Sequence, residues 1–306
     1  MLKTLRRVFN QLFNLLSVDR RLDEIKINQG IILAEMNRHQ SKPFLSDYEF
    51  KVFSQWGEDG ILQFLTANLD IPHKTFIEFG VEDFFESNCR FLMMKDVWQG
   101  FVIDGSEKNM KRLRDAYFYW RYPLHAKTAF ITRENVRELL DESGFDKDLG
   151  ILSVDIDGND YFVLEALDQW KPRIVIVEYN GIFGMKKPVS VPYKIDFQRT
   201  KQHFSNLYYG ASLPAFDHLL KRRGYALVGI NRNGSNAFFV RRDILNDTVH
   251  ETTLSSCYRT SCFRESRDEK GRLTFLSGSD RLSTINHLPL VDTLSGEVLF
   301  VRDIPN

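Results

Sequence analysis

From residue 51 onward, short apolar runs alternate with longer amphipathic stretches. Thr75-Phe-Ile-Glu-Phe79 is too short for a helix and rich in β-formers, so it reads as a buried parallel strand. Gly100-Phe-Val-Ile-Asp104 reads the same way, and similar runs recur at 124–131, 151–155, 173–178, 226–230 and 237–240. Helices are predicted over 59–69, 89–95 and 108–120, with helical stretches between most of the later runs. Such alternation predicts a mostly parallel sheet wrapped by helices on both faces. This is the doubly wound, Rossmann-like α/β class, with ligands gathered outside the carboxyl ends of the strands. The last two runs depart from it, because Asn231-Arg-Asn-Gly-Ser-Asn236 between them is a turn-rich link that predicts a hairpin and an antiparallel end to the sheet.

The two ends of the chain read differently. Leu2, Leu5, Val8, Phe9, Leu12, Phe13, Leu15 and Leu16 fall on one helical stripe with Lys3, Arg6 and Arg7 beside it, which predicts an amphipathic helix. Its basic half suits the inner face of an anionic membrane. Its continuation through Leu22, Ile25, Ile32 and Met36 suits pairing with a second helix, as in a homo-oligomer, and packing on the chain's own domain is the third reading. Asn28, Gln29 and Gly30 interrupt the apolar spacing and are expected to end the helix. After Asp243 the periodicity fades into Cys257-Tyr-Arg-Thr-Ser-Cys262, a charged run over 264–272 and a short closing segment near 298–301. The expected division is an N-terminal helical segment (1–45), a main domain (46–243) and an appendage (244–306) that covers an edge, carries partner contacts or is partly mobile.

Composition narrows the function. Lys plus Arg and Asp plus Glu number 41 each among 306 residues, so no net field recruits nucleic acid, and that class is set aside. Three cysteines, Cys89, Cys257 and Cys262, are too few and too unevenly placed for a disulfide framework or a four-ligand zinc site, and fit a reducing cytoplasm. No apolar run approaches the roughly 20 residues of a membrane span, and no signal-peptide core follows the start, so a cytoplasmic location is expected.

The strand ends carry the candidate chemistry: Glu78 with Gly80, Asp104 with Ser106, Ala129 with Phe130, Asp155 with Asp157, and Glu178 with Asn180. Side by side they make one crevice. Gly80 gives a turn for the amino-acid end of a ligand, Asp104 a carboxylate to grip a ribose diol, and Ala129 and Phe130 an apolar slot for a purine face. Such a crevice suits S-adenosylmethionine. A nicotinamide dinucleotide would prefer a G-x-G-x-x-G turn, whereas Gly80 is followed by Val81-Glu-Asp-Phe-Phe85, whose acids repel pyrophosphate. Gln55, Glu58 and Asp59 either close over the cofactor or start a helix with Asp59 as its cap. The long connection over 180–213 reads as a lid or specificity loop. In it Tyr193, Phe197, Tyr208 and Tyr209 either stack on sugar faces or pack the loop, while Asp196, Arg199 and Lys201 are placed to bond hydroxyls.

Five stretches taken together carry a resemblance over residues 51–242: Phe53-Ser-Gln-Trp-Gly-Glu-Asp-Gly60; Phe76-Ile-Glu-Phe-Gly-Val-Glu82 with Ser87-Asn88; Gly100-Phe-Val-Ile-Asp-Gly-Ser106; Leu152-Ser-Val-Asp-Ile-Asp-Gly158; and Val177-Glu-Tyr-Asn180. The chain resembles class I S-adenosylmethionine-dependent methyltransferases, and among them the FkbM-like group associated with glycan and natural-product modification, although Gly80 lacks that family's companion glycines. The resemblance implies methyl transfer, with the cofactor held by Gln55, Glu78, Gly80, Asn88, Asp104, Ser106, Ala129, Phe130 and Asp155. A sugar hydroxyl gives up its proton reluctantly, so a base or a metal is expected. Asp155, Asp157, Glu178 and Asn180 offer oxygen ligands suited to Mg²⁺, an arrangement that resembles metal-dependent methyltransferases. In the metal-free alternative the Asp157-Gly-Asn-Asp160 stretch caps the next helix, and a carboxylate (Asp155 or Asp157) or His203 is the base, with His218 in the same segment.

The expected function is therefore O-methylation of a saccharide or glycoconjugate hydroxyl. Two alternatives come from other classes: a catalytically silent methyltransferase-like module that docks partners through its N-terminal helix and appendage, and a nicotinamide-dependent oxidoreductase.

Overall fold

The computed structural model describes residues 2–305, with side chains from residue 18 on. The apolar stripe expected over residues 2–16 thus lies outside the described side chains. In chain order the first half contains α1 (Leu2–Arg38), α2 (Glu58–Asn68), β1 (Thr75–Phe79), α3 (Arg90–Asp96), β2 (Gln99–Asp104), α4 (Glu107–Arg114), β3 (Leu124–Thr128) and α5 (Val136–Asp141). There follow β4 (Ile151–Val154), α6 (Asp160–Ala166), β5 (Ile174–Glu178), β6 (Val189–Ser190), α7 (Arg199–Gln202), α8 (Leu213–Arg222), β7 (Tyr225–Ile230) and β8 (Asn236–Arg241). The chain closes with α9 (Leu254–Cys257), α10 (Ser279–Ile285), β9 (Pro289–Asp292) and β10 (Val298–Phe300).

The main sheet has seven strands in the order β3-β2-β1-β4-β5-β8-β7. The first five are parallel, and β8 runs antiparallel to both of its neighbours, as the turn-rich 231–236 link requires. Within β5, Ile174 and Ile176 face one helical layer while Val175 and Val177 face the other, the period of two that a strand buried on both faces imposes. Leu65 of α2, Phe91 of α3 and Met110 of α4 fill the first layer; Leu140 of α5, Val163 of α6 and Phe216 of α8 fill the second. The fold is thus a Rossmann-like α/β sheet with an antiparallel terminal hairpin. After β3 the chain returns to the other side of β1 to form β4, so the topological switch, where open sheets bind ligands, lies between β1 and β4.

Three local expectations change. The helix expected over 108–120 ends at Arg114, and the aromatic-rich stretch after it turns inward to bury Phe118 completely. The strand expected over 124–131 ends at Thr128, which frees Ala129 and Phe130 from the ladder. Nor does α1 end at Gly30: it runs on to Arg38, because a Cβ at Gly30 would stand 2.6 Å from the Phe91 ring and from Val52. The glycine marks the closest approach of two packed elements. Nearby, Arg90 is 1% exposed, donates to Asp23 of α1 at 2.6 Å, and lies over the rings of Phe53 and Phe118 at 4.0 and 4.2 Å. Removing one partner of such a buried pair costs about 3–5 kcal/mol.

The long 180–213 connection and the appendage fold on each other. β6, from the connection, pairs antiparallel with β9, which pairs with β10, over a shared core of Phe183, Val189, Tyr208, Leu290 and Val301. No helix among the described residues is long and apolar enough to cross a membrane.

Candidate active site

A crevice of about 580 Å³ opens at the carboxyl ends of β1, β2, β4 and β5. Its floor is the contact between β1 and β4. Gly80 has φ +67°, and a Cβ there would fall 1.6 Å from the Asp155 carbonyl oxygen, so this turn tolerates no side chain. Glu78, one residue inside β1, is buried and accepts from the Ser87 hydroxyl at 2.7 Å, the Asn88 N–H at 2.8 Å and the Cys89 N–H at 3.2 Å. It latches the 87–89 loop over the strand end, and burial raises its pKa against those bonds. Asn88 in turn donates to the Ser153 hydroxyl at 3.1 Å.

On the β2 side, Asp104 accepts the Ser106 N–H at 2.7 Å and the Glu82 N–H at 3.0 Å. These bonds fix its plane at the crevice wall while leaving lone pairs on both oxygens. Burial raises its pKa. Ala129, Phe130 and Ile131 line the adjacent wall, Phe130 remaining 43% exposed. Ser106 does not line the crevice: its hydroxyl accepts the Asn109 N–H at 3.3 Å as the cap of α4.

On the β4–β5 side, Asp155, Asp157 and Glu178 each bring a carboxylate oxygen within 4.8 Å of the other two. Asp155 and Glu178 are both pushed well above the usual carboxylate range, first by burial and then chiefly by neighbouring carboxylates. Asp157 takes φ +56° and is held by Arg199, whose Nη1 donates to it at 2.6 Å. The Arg199 guanidinium lies 3.9 Å from the Tyr209 ring and 4.0 Å from Glu265. In the 157–160 stretch expected to cap α6, Asn159 holds the cap position without a side-chain bond, and Asp160 accepts the N–H groups of Ile156 at 2.7 Å and Gly158 at 2.8 Å, which shapes the loop that presents Asp155 and Asp157.

Several expected residues stand elsewhere. Asn180 is 1% exposed and lies outside the crevice lining: its amide donates to Leu207 and Tyr209 carbonyls at 3.0 Å each and its oxygen accepts the Ile182 N–H at 3.0 Å. His203 lies outside the crevice lining, bonded to the Ser205 hydroxyl at 2.7 Å and beside His287, with its pKa lowered by burial. His218 is exposed on α8. Of the aromatics expected to stack on sugars, only Phe197 lines the crevice, and of the three polar partners only Arg199 does. Tyr208 and Tyr209 are core, and Tyr193 bonds Glu134.

The approach to the crevice comes from three distant segments. Gln55 and Trp56 lie on one side, Asn233, Ser235 and Asn236 on the hairpin turn, and Phe263 and Glu265 in the appendage, with the Trp56 and Phe263 rings edge-to-face at 6.4 Å. Buried Glu58 ties two of these together. It accepts the Trp56 and Gly57 N–H groups at 3.0 and 2.9 Å and the amides of Asn231 and Asn236 at 2.7 and 2.9 Å. Asp59 stabilises the same turn by accepting the Val52, Phe53 and Ser54 N–H groups within 2.8 Å. Both acids are thus internal latches, while Gln55 faces the opening. Eight carboxylates line the crevice (Glu78, Glu82, Glu86, Asp104, Asp155, Asp157, Glu178 and Glu265), and Arg199 is the one cationic side chain among the described residues that line it. Such a field attracts cations and repels phosphates.

No family model matches the chain, and no curated protein matches it in sequence. Among solved structures it is similar to the DszA carbon methyltransferase, with 15% identity over 62% of this chain and 53% of that one, at a TM-score of 0.37. It is also similar to an S-adenosylmethionine-dependent methyltransferase from Clostridium acetobutylicum, with 7% identity over 60% and 90% of the two chains, at a TM-score of 0.38. A Staphylococcus aureus protein assigned as a caffeoyl-CoA O-methyltransferase gives 15% identity over 70% and 91%, at a TM-score of 0.41. The chain spans about half the length of the DszA protein it matches. Identities and scores in this range carry no argument about chemistry.

Proposed function

We propose that this chain is an S-adenosylmethionine-dependent O-methyltransferase that acts on a saccharide hydroxyl. The observation that carries the reading is the acidic crevice at the β1/β4 switch, with Asp104 held at the tip of β2 by two backbone N–H groups. The residues fit the cofactor: the Gly80 turn gives its backbone close access, Asp104 is an acceptor for ribose hydroxyls, Phe130 and Ile131 form an apolar wall, and the surrounding carboxylates suit a positive charge. When bound, S-adenosylmethionine supplies a methyl group on a positively charged sulfur.

The chain's own part is to bind, align and deprotonate. Alignment alone can supply several kcal/mol of barrier reduction. The Asp155 and Glu178 carboxylates stand beside the loop that carries Asp157, and a carboxylate whose pKa is raised is a better-matched acceptor for a hydroxyl proton. Arg199 keeps Asp157 in place. At the mouth, Trp56 and Phe263 offer apolar faces, with Asn233 and Glu265 beside them for hydroxyls, which supports a saccharide as acceptor. Asp155, Asp157 and Glu178 also suit a divalent cation, but Arg199 already supplies a positive charge to Asp157 and favours the metal-free reading. A nicotinamide dinucleotide is disfavoured, since its pyrophosphate would meet Glu82 and Glu86.

Titration calorimetry tests the reading. S-adenosylhomocysteine should bind, and Asp104→Ala should weaken it by roughly tenfold to a hundredfold, the loss of a charge-assisted clamp. A folded chain that binds neither cofactor nor its product would instead be the silent module. Methyl transfer to a saccharide should persist in EDTA; dependence on added Mg²⁺ would restore the metal reading.

A further inference from the structure

On α1 the side chains at Asp23, Ile27, Gly30, Ala34 and Asn37 face the body of the protein, spaced by fours and threes. A second stripe of the same spacing, Val18, Leu22, Ile25, Gln29, Ile32 and Met36, lies about 140° away at 100° per residue. Its apolar members are 46–61% exposed. Seven of the 21 large apolar side chains exposed among the described residues lie between Val18 and Met36, so this is a concentrated patch and not scatter. The chain's own domain cannot cover a stripe on the far side of the helix.

We propose that the outer face of α1 pairs with the same face of a second copy of this chain, antiparallel, about a two-fold axis near residue 27. The spacing of 3.5 is that of a coiled-coil seam. In the antiparallel register Leu22 meets Ile32 of the second copy, Ile25 meets Gln29, and Met36 meets Val18, so the stripe is complementary to itself over about 27 Å. Charge selects the direction. Antiparallel pairing sets Arg21 beside Glu35 of the second copy, twice by symmetry, whereas parallel pairing would set Arg21 beside Lys26. Glu35 is exposed, and its contacts to Arg38 at 3.7 Å and His39 at 3.0 Å are surface pairs that leave it free to turn. A lipid surface fits less well, since Asp19, Glu24 and Glu35 are interspersed with the bases on this length of helix.

Sedimentation of the full chain should give twice the 35.8 kDa chain mass. Ile25→Glu with Ile32→Glu should abolish the dimer and leave S-adenosylhomocysteine affinity and circular dichroism unchanged. Arg21→Glu and Glu35→Arg, on exposed positions away from the docked stripe, should each weaken the dimer by roughly fivefold, and together restore it. A wild-type chain that stays monomeric, or a dimer indifferent to Ile25→Glu with Ile32→Glu, overturns the proposal. So does a monomer that binds anionic phosphatidylserine vesicles and loses them with those same substitutions, which would assign the face to lipid. Failure of the double charge reversal to restore the dimer overturns the antiparallel register.

Discussion

At Gly80 two independent demands meet in one residue: a left-handed backbone and a gap too narrow for a methyl group against the Asp155 carbonyl. Gly80→Ala should therefore cost about 2–4 kcal/mol in urea unfolding and abolish cofactor binding; a loss below about 0.5 kcal/mol would show the turn relaxes freely. Asp104 carries a pH prediction. Burial raises its pKa, and the ionised form is the one that accepts hydroxyl protons, so affinity should rise with pH through a midpoint above the ordinary aspartate value. The slope should diminish in Asp104→Asn, read as dissociation constants across a pH series. The placement of these residues at strand ends was legible because each follows a short apolar run rich in β-formers. Asn180 shows the limit. Position alone reads a strand-end amide as a ligand, and its bonds to the carbonyls of Leu207 and Tyr209, brought up from about thirty residues away, become visible only in the fold.

At the scale of elements, the alternation located the five parallel strands, since all but the edge strand β3 are largely buried and their neighbours in sequence are helices. Helix ends were harder. α1 passes through Asn28, Gln29 and Gly30 because docking on Phe91 and Val52 outweighs the roughly 1 kcal/mol that a glycine costs a helix. Gly30→Ala should consequently lower the melting temperature despite its better helix propensity, by an overpacking cost of about 1–3 kcal/mol. A rise in melting temperature would mean that α1 is only loosely seated. α4 stops at Arg114 for the complementary reason: burying Phe118 against Arg90 stabilises the inward turn more than further helix would.

Over the whole molecule, what escaped the sequence was convergence between distant segments. The mouth of the crevice joins residues near 56, 233 and 263, and nothing local in 261–265 marks Phe263 and Glu265 as site residues. The same holds for β6 and β9, two short strands about a hundred residues apart that make one sheet. A chain ended at residue 243 should therefore lose more than an edge. It would expose the apolar core beneath β6, shed the Glu265 side of Arg199, and become sensitive to limited proteolysis within 180–213. Resistance there equal to that of the full chain would show that the appendage is dispensable to the fold.

The division of the crevice between strand tips and loops has a consequence for how such a chain diverges. Gly80 and Asp104 stand at the ends of β1 and β2, Gly80 against the Asp155 carbonyl, so substitutions there put the fold at risk. Trp56, Asn233, Phe263 and Glu265 belong to no strand of the parallel sheet. Mutation can exchange them singly with less risk to the sheet, and a lineage can thereby reshape the mouth of the crevice while inheriting its strand-end floor intact.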